Sequence, residues 1–267
     1  MADHRILLAE DHPASQKVAA AVIENLGFDV DVVANGAEAV YAAAPGRYIA
    51  ILMDCHLPVL NGFEATAEIR RLQGRSGHTP IIAVTVAASE SDRERCRAAG
   101  MDDFLAKPLS RRSLATALER WAPSDGQTAV LTSTNLPPVE VSTAPSVDPA
   151  RAVLDALVVA GIERLGRAAG VNLMGQLADL FLADADAIIV ELHRAFVVDD
   201  SATLARAIHA LGSASSNLGA GDLTELCREW EAGISLGGLV GDKAQLYKVE
   251  AALELVRPLL EQYRTAK

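Results

Sequence analysis

The 267-residue sequence has few cysteines, few aromatic side chains and no long apolar run. Its three cysteines, Cys55, Cys96 and Cys227, are scattered without a CxxC pair, which argues against a disulfide framework and against a zinc site. No apolar run approaches the roughly 18 residues of a membrane span, and the N-terminus lacks the basic and apolar regions of a signal peptide. These absences predict a soluble, cytoplasmic protein with no membrane span in this chain.

Positive charge is also scarce. Lys and Arg together number 24 against 35 Asp and Glu, which gives a net charge of −11. Residues 1–122 hold 13 basic and 16 acidic side chains, and residues 148–267 hold 11 and 17. Because duplex binding depends on basic surfaces that neutralise phosphates, this composition argues against a nucleic-acid partner.

Short apolar runs alternate with amphipathic stretches through the first 122 residues. Apolar runs bounded by turn residues are typical of buried parallel strands, and 3-4 spacing of apolar residues is typical of helices. Five strands alternating with five helices predict an α/β fold, a doubly wound parallel sheet of strand order 2-1-3-4-5. The predicted strands are 5–9, 30–33, 49–54, 81–84 and 104–106, and the predicted helices are 14–26, 35–44, 63–72, 92–99 and 109–121.

The remaining sequence divides into a linker and an all-α domain. Residues 123–147 contain four prolines, many Ser and Thr and no periodicity, which predicts a flexible linker of roughly 25–30 Å r.m.s. span. Residues 148–267 show no strand pattern and predict a separate four-helix bundle. Its helical patterns cover 149–160, 173–196, 202–218, 222–233 and 244–263, of which the last four suit the bundle.

Polar side chains follow four strands at the edge where parallel strands end together. Glu10 and Asp11 follow the first strand, Asp54 ends the third, Thr85 follows the fourth and Lys107 the fifth. In the order 2-1-3-4-5 these strand ends lie side by side. Three neighbouring carboxylates do not all stay ionised unassisted, so a divalent cation, Mg²⁺, is the natural neutraliser. An acceptor carboxylate, a metal and fixed donors are the parts of in-line phosphoryl transfer.

Residues 1–122 resemble a response-regulator receiver domain. The acidic pair after strand 1, the loop MDCHLPVLNG, the Thr after strand 4 and the Lys-Pro after strand 5 carry the resemblance. It implies that Asp54 accepts a phosphoryl group. It also implies that Mg²⁺ is held by Asp11, Asp54 and the backbone carbonyl of His56, with Glu10 assisting through water.

The same resemblance assigns further roles. Thr85 and Lys107 would bind the phosphoryl oxygens. Phe104, three residues before Lys107, would be the switch aromatic that turns inward as Thr85 moves toward the phosphate. Loop histidines are more often solvent-facing, so the side chains of His12 and His56 are assigned no chemistry.

His209 is the second candidate phosphoryl acceptor. It lies within the predicted helix 202–218, about 100° away from Ile208, which belongs to the buried stripe of that helix. We therefore expect an exposed imidazole. A neutral imidazole nitrogen is a competent acceptor near pH 7. Its neighbours on the helix surface are all small: Ala205, Gly212, Ser213 and Ser216.

The segment HALGSASSNLGA, residues 209–220, resembles the signature of histidine phosphotransfer (HPt) domains, His-x-Leu-Lys-Gly-Ser-Ser-x-x-Leu-Gly-Ala. His209 would then be the phosphohistidine. Gly212 stands where the family usually has Lys, and Ser213 stands where it has Gly. The lost cation weakens stabilisation of a phosphoryl group, and the added hydroxymethyl group crowds the docking surface.

A receiver followed by an HPt domain predicts a two-component phosphorelay protein. Asp54 would exchange a phosphoryl group with His209, a histidine kinase or downstream receiver would be the partner, and the linker allows an intramolecular contact between the domains. The chain shows no P-loop and no glycine-rich ATP lid, so we expect a phosphotransfer protein rather than a kinase enzyme. It is either free-standing or the tail of a hybrid sensor kinase.

Two other functions compete with the relay. In an interaction switch, Asp54 would be phosphorylated while the HPt domain served only as a docking module. A haloacid-dehalogenase-type phosphohydrolase also uses an Asp after an apolar strand, but it needs a second Asp two residues on. This chain has His56 at that position, which argues against the hydrolase.

Overall fold

The structure, a computed structural model, describes residues 4–43, 46–74, 78–85, 90–121, 153–235 and 243–265. The predicted linker, 123–147, lies outside these residues. The first part is a five-stranded parallel sheet of order β2-β1-β3-β4-β5, which confirms the predicted doubly wound fold. Its strands are β1 (Arg5–Ala9), β2 (Asp29–Val33), β3 (Ala50–Asp54), β4 (Ile81–Thr85) and β5 (Asp103–Ala106), and its helices are α1 (Pro13–Asn25), α2 (Gly36–Ala42), α3 (Gly62–Gln73), α4 (Glu90–Ala99) and α5 (Arg111–Trp121).

Alternate residues of the central strands point to opposite faces of the sheet and form two cores. Ile6 and Leu8 of β1 pack with α1 and α5 on one face, whereas Leu7 packs with α2 and α3 on the other. Strands β3 and β4 are buried along their whole length. Burial on both faces explains why these strands are continuous apolar runs rather than alternating patterns.

The loop after β3 is tightly constrained. Asn61 and Glu64 form a capping box that starts α3, with each side chain accepting a hydrogen bond from the other residue's backbone N–H. A Cβ atom added to Gly62 would lie 2.0 Å from the carbonyl oxygen of Asp54. Only glycine lets α3 begin this close to the end of β3, so Gly62 helps to set the position of Asp54.

The second part of the chain is helical in every described segment, as predicted. Four helices surround a common core in the cyclic order α7, α8, α9, α10, while α6 packs beside α7 and α8. No helix among the described residues has the length and apolar character needed to cross a membrane. The helices are α6 (Ala156–Ala169), α7 (Leu173–Val197), α8 (Ser201–Leu218), α9 (Gly221–Ser235) and α10 (Lys243–Thr265).

The prediction for the first of these helices is wrong at both ends. The pattern predicted 149–160, but the helix is capped by Asp155 and continues to Ala169; residues 149–152 lie outside the described part. The chain passes through Gly161 and Gly166 without leaving the helix, and it ends at Gly170 in the left-handed conformation, φ +69°. Packing against α7 and α1 outweighs the low helix propensity of the two interior glycines.

The helical bundle packs directly on the receiver-like part through α1, which contacts α6, α7 and α8. Ala14 and Val18 of α1 are buried in the same apolar cluster as the core of the bundle. A buried hydrogen bond of 2.7 Å from Asn217 Nδ2 to Ser15 Oγ accompanies this apolar contact. The intramolecular contact that the linker allows is therefore present in this structure.

Candidate phosphotransfer site

Four of the predicted site residues lie together at the carboxyl ends of the central strands. Glu10, Asp54, Thr85 and Lys107 are all less than 10% exposed. The ladder between β4 and β5 pairs Thr85 with Ala106, and the backbone N–H of Lys107 then donates to the carbonyl of Thr85 at 2.8 Å. The parallel register thus brings residues from strands far apart in sequence to one edge.

Lys107 is the electrostatic centre of this group. Its Nζ lies 2.6 Å from Asp54 Oδ2 and 2.7 Å from Glu10 Oε2, and its side chain is 3% exposed. Burial alone would raise the pKa of Asp54. The charges of Lys107 and His209, with the hydrogen bonds from Lys107 and from the backbone of His56, together outweigh burial and hold that pKa well below its usual range. Burial raises the pKa of Glu10 to about 7 against the opposing effect of Lys107. Asp54 is therefore ionised and Glu10 is the carboxyl group that protonates more readily.

The predicted metal ligands also converge. Glu10, Asp11 and Asp54 each offer a carboxylate oxygen, and these oxygens lie within 4.8 Å of one another. Burial, followed by the charge of Asp54, raises the pKa of Asp11, so a cation there would relieve repulsion between carboxylates. An all-oxygen carboxylate set open to water on the Asp11 side suits Mg²⁺. The backbone N–H of His56 donates to Asp54 Oδ1 at 2.9 Å, which places the loop after β3 beside this set.

Phe104 lies in β5, partly buried against the core on the α3 side of the sheet. The guanidinium of Arg93 stacks over its ring, 4.2 Å from the ring centroid. Its predicted role as a switch concerns a change between two states and stays a prediction.

His209 lies at the same edge of the sheet, brought there by the second domain. One of its ring nitrogens lies within 4.8 Å of an Asp54 carboxylate oxygen. Its ring also contacts the ring of His56, with centroids 4.2 Å apart. The expectation of an exposed imidazole is wrong: His209 is 9% exposed, because the receiver-like domain covers the face that points away from the bundle core.

Glu231 of α9 fixes the protonation of His209. Its Oε1 lies 3.0 Å from Nδ1 of His209. Burial alone would raise the pKa of Glu231, but the hydrogen bond from His209 and the charges of His209 and His56 together outweigh burial and lower it. The carboxylate is therefore ionised and only accepts. Nδ1 must therefore carry the proton, while Nε2 is buried and has no hydrogen-bond partner among the described residues. Although burial opposes it, this hydrogen bond and the charge of Asp54 raise the pKa of His209.

The sequence analysis did not identify several residues that lie at this edge of the sheet. Glu231 lies 22 residues from His209, and its spacing to that histidine carries no signal in a single sequence. His12, which was expected to face solvent, is buried, and its Nε2 lies 3.5 Å from Asp184 Oδ2 of α7. The Nε2 atom of His56 lies 3.9 Å from Oε1 of Glu231. The His12–Asp184 and His56–Glu231 pairs join two domains, so they become visible only when the docking geometry is known.

The departure from the HPt signature at Gly212 has a packing reason. A Cβ atom at this position would lie 3.0 Å from the Cβ atom of Cys227, which is tighter than ordinary van der Waals contact. Cys227 is buried in α9, the helix that also carries Glu231. The missing side chain thus allows the close approach of α8 and α9 that brings Glu231 to His209.

Comparison with known proteins supports both assignments. The response regulator receiver domain family matches residues 6–119, and the Hpt domain family matches residues 176–264. The chain therefore contains a receiver domain followed by an HPt domain, which are the phosphoryl-accepting and phosphoryl-transferring modules of two-component systems.

Most of the similar curated proteins are histidine kinases, and this chain matches only a part of each. The chain is 32% identical to the sensory/regulatory protein RpfC of Xanthomonas campestris pv. campestris over 218 residues, which cover 80% of this chain and 28% of RpfC. The chain spans 6% of the length of hybrid signal transduction histidine kinase B of Dictyostelium discoideum, at 37% identity. It thus covers only a small part of these curated relatives.

Among solved structures, the receiver domain of sensor histidine kinase PA1611 from Pseudomonas aeruginosa PAO1 is 50% identical, with a TM-score of 0.41, and the match covers 45% of this chain and 98% of that one. That receiver domain holds a magnesium ion in its active-site cleft. A complex of the Saccharomyces cerevisiae phosphotransfer protein Ypd1 with the receiver domain of Ssk1 matches at 26% identity, with a TM-score of 0.43, over 48% of this chain and 97% of that one.

Proposed function

We propose that this chain is a phosphorelay protein in which Asp54 and His209 exchange a phosphoryl group within one chain. The observation that carries the proposal is their juxtaposition: a ring nitrogen of His209 lies within 4.8 Å of an Asp54 carboxylate oxygen in a buried interface. A linker that joins the two domains keeps their effective concentration of order mM, which favours exchange within the chain. The receiver domain corresponds to residues 1–122 and the HPt domain to residues 148–267.

The site supplies the groups that the transfer needs. In its neutral form, with the proton on Nδ1, His209 has a lone pair on Nε2 that attacks phosphorus. The bond between phosphorus and the Asp54 oxygen breaks, and its electrons return to the carboxylate as the new bond to Nε2 forms. The positive charge that develops on the imidazole is stabilised by Glu231. The reverse transfer uses the same groups, so the geometry permits flow in both directions.

The receiver residues then have defined roles. Lys107 and the hydroxyl of Thr85 bind phosphoryl oxygens, and Phe104 responds to the movement of Thr85. Asp11, Asp54 and the backbone carbonyl of His56 would hold Mg²⁺, with Glu10 assisting through water. Magnesium, when bound, neutralises the developing negative charge on the phosphoryl oxygens.

The partners follow from this role. Without an ATP-binding signature in the sequence, the phosphoryl group has to come from a histidine kinase or from a receiver that feeds His209. A downstream receiver would dock on the same face of the HPt domain that its own receiver covers here. The two domains must therefore separate before the phosphoryl group on His209 is passed to another protein.

The test is intact-mass spectrometry of the full chain after exposure to a small acyl phosphate and Mg²⁺. Phosphohistidine survives alkali and phosphoaspartate does not, so the two adducts are distinguishable. We expect an alkali-stable adduct in the wild type that is lost in both Asp54→Ala and His209→Ala. An alkali-labile adduct alone, in the wild type, would contradict transfer to His209.

Dilution separates transfer within a chain from transfer between chains. We expect a first-order rate of phosphohistidine formation that does not change with protein concentration. A mixture of Asp54→Ala and His209→Ala chains, which can exchange only between molecules, is the matched control and is expected to react more slowly. A wild-type rate that rises in proportion to concentration would overturn the intrachain mechanism.

A further inference from the structure

Ser213 is a residue of the HPt domain that contacts the receiver's acceptor site directly. It lies one helical turn after His209 on α8 and is 2% exposed. Its Oγ accepts a hydrogen bond of 3.3 Å from Nζ of Lys107 in the receiver domain. Buried serines in helices commonly donate to the carbonyl four residues back, as Ser215 does to Leu211 at 2.7 Å. Ser213 makes the contact between domains instead.

This contact completes the hydrogen bonding of Lys107. A lysine ammonium has three N–H donors and no acceptor. Two of its donors go to Asp54 and Glu10 at 2.6 and 2.7 Å, and the third goes to Ser213. A buried donor without an acceptor is costly, so the Ser213 hydroxyl stabilises the third N–H of Lys107 in the docked arrangement.

We propose that Ser213 is a catalytic residue of the transfer, which binds the phosphoryl group between Asp54 and His209 together with Lys107. This proposal rests on the exchange proposed above. The Ser213 hydroxyl accepts from Lys107 with a lone pair, and among the described residues its proton has no recorded acceptor. It is therefore free to donate to a phosphoryl oxygen, and it keeps that proton throughout. Only the bond from phosphorus to Asp54 breaks, and only the bond to His209 forms.

The proposal gives a physical role to the chain's second departure from the HPt signature. Gly212 removes a cation from the surface beside His209, so the HPt domain offers no charge of its own at that position. Ser213 adds a hydroxyl at a position where glycine would have no side chain. The donor that the HPt domain supplies is thus neutral, and the cation that acts in the transfer is the receiver's Lys107.

The experiment compares Ser213→Ala with Ser215→Ala in the full chain. Each variant loses one buried serine hydroxyl of α8, but only the first faces the acceptor site. The rate of alkali-stable phosphohistidine formation is measured after loading Asp54 with acyl phosphate and Mg²⁺. We expect about a tenfold loss of rate in Ser213→Ala, the effect of one hydrogen bond in the transition state. Ser215→Ala is expected to keep the wild-type rate.

A second readout follows the contact without phosphate. The ¹⁵N signal of the Lys107 ammonium, recorded on the unphosphorylated full chain, is expected to shift or broaden in Ser213→Ala and to stay in place in Ser215→Ala. Equal transfer rates in the two variants, or an unmoved Lys107 signal, would overturn the role of Ser213. A wild-type chain that never forms phosphohistidine would instead overturn the proposed exchange, and the role of Ser213 would fall with it.

Discussion

The imidazole of His209 lies against the imidazole of His56 across the domain interface, with ring centroids 4.2 Å apart and planes at 46°. His56 is two residues from Asp54, so this contact carries His209 to the edge of the acceptor site. Burial and the charge of His209 lower the pKa of His56, whereas Glu231 and Asp54 raise the pKa of His209 against the effect of burial. Within this pair His209 therefore takes up a proton more readily than His56, and its Nδ1 lies against Glu231.

Replacing Glu231 by Gln tests this arrangement. The amide keeps the shape of the side chain but not its charge, and it no longer requires the proton to be on Nδ1. We expect phosphoryl transfer from Asp54 to His209 to slow by about tenfold, because the positive charge that develops on the imidazole loses its counter-ion. The ¹⁵N spectrum of His209 should also show a mixture of tautomers.

Glu229→Gln is the matched control, since Glu229 is exposed on the same helix. It removes one negative charge without touching His209. Equal transfer rates and equal histidine spectra in the two variants would show that Glu231 does not position the imidazole.

Replacing Lys107 by Met tests the charge balance of the acceptor site. The substitution leaves Asp54 and Glu10 buried without their cation, which costs about 3 kcal/mol of the free energy of unfolding of the receiver domain. Chemical denaturation monitored by circular dichroism measures the change. Lys248→Met, at an exposed position of α10, is expected to change stability by less than about 0.5 kcal/mol. Similar losses in the two variants would contradict a buried ion-pair network around Lys107.

Most of the fold could be predicted because its signals are local. The strands are apolar runs with turns at both ends, and the order of polar residues after strands 1, 3, 4 and 5 was enough to gather Asp54 and Lys107 at one edge. The parallel register of the strands then aligns their carboxyl ends, whatever their separation in sequence. The end of α6 was missed because packing against neighbouring helices overrides the low propensity of Gly161 and Gly166.

The interface could not be predicted in the same way. Whether His209 is exposed depends on which surface α1 presents to α8, and helix periodicity describes only the face of one helix toward its own core. Ser213 and Glu231 gain their roles from atoms in another element or another domain. The apolar residues of α1 gave an ambiguous signal. Val18 fits both a receiver core and an exposed docking surface, and a single sequence does not separate these alternatives.

Replacing glycine by alanine is expected to have opposite effects on stability at Gly62 and at Gly161. Gly62→Ala would place a Cβ atom 2.0 Å from the carbonyl oxygen of Asp54, which requires the backbone at the acceptor site to move. Gly161→Ala meets nothing within 4 Å and replaces glycine inside α6. We expect Gly62→Ala to destabilise the receiver by about 3 kcal/mol and Gly161→Ala to stabilise the HPt domain by about 1 kcal/mol. Thermal unfolding measures both, and stabilisation by Gly62→Ala would contradict the close approach of α3 to β3.

Val18→Lys tests whether the docked arrangement is needed for transfer. Val18 is 4% exposed and packs in the apolar cluster that the receiver shares with the HPt bundle, so a lysine there would bury a charge or force the domains apart. We expect the rate of phosphohistidine formation to fall at least tenfold, while acyl phosphate still loads Asp54 because the acceptor groups Glu10, Asp54 and Lys107 all belong to the receiver domain. Retained loading shows that the receiver remains folded.

Two further observations make this result decisive. Chemical modification of His209, followed by mass spectrometry, is expected to accelerate in Val18→Lys because the receiver no longer covers the imidazole. Tyr41→Lys, which introduces the same charge on α2 at a residue that is 92% exposed, is expected to leave both transfer and modification unchanged. If Val18→Lys also keeps the wild-type transfer rate while His209 becomes reactive, transfer does not proceed through this interface, and His209 must reach Asp54 by another approach.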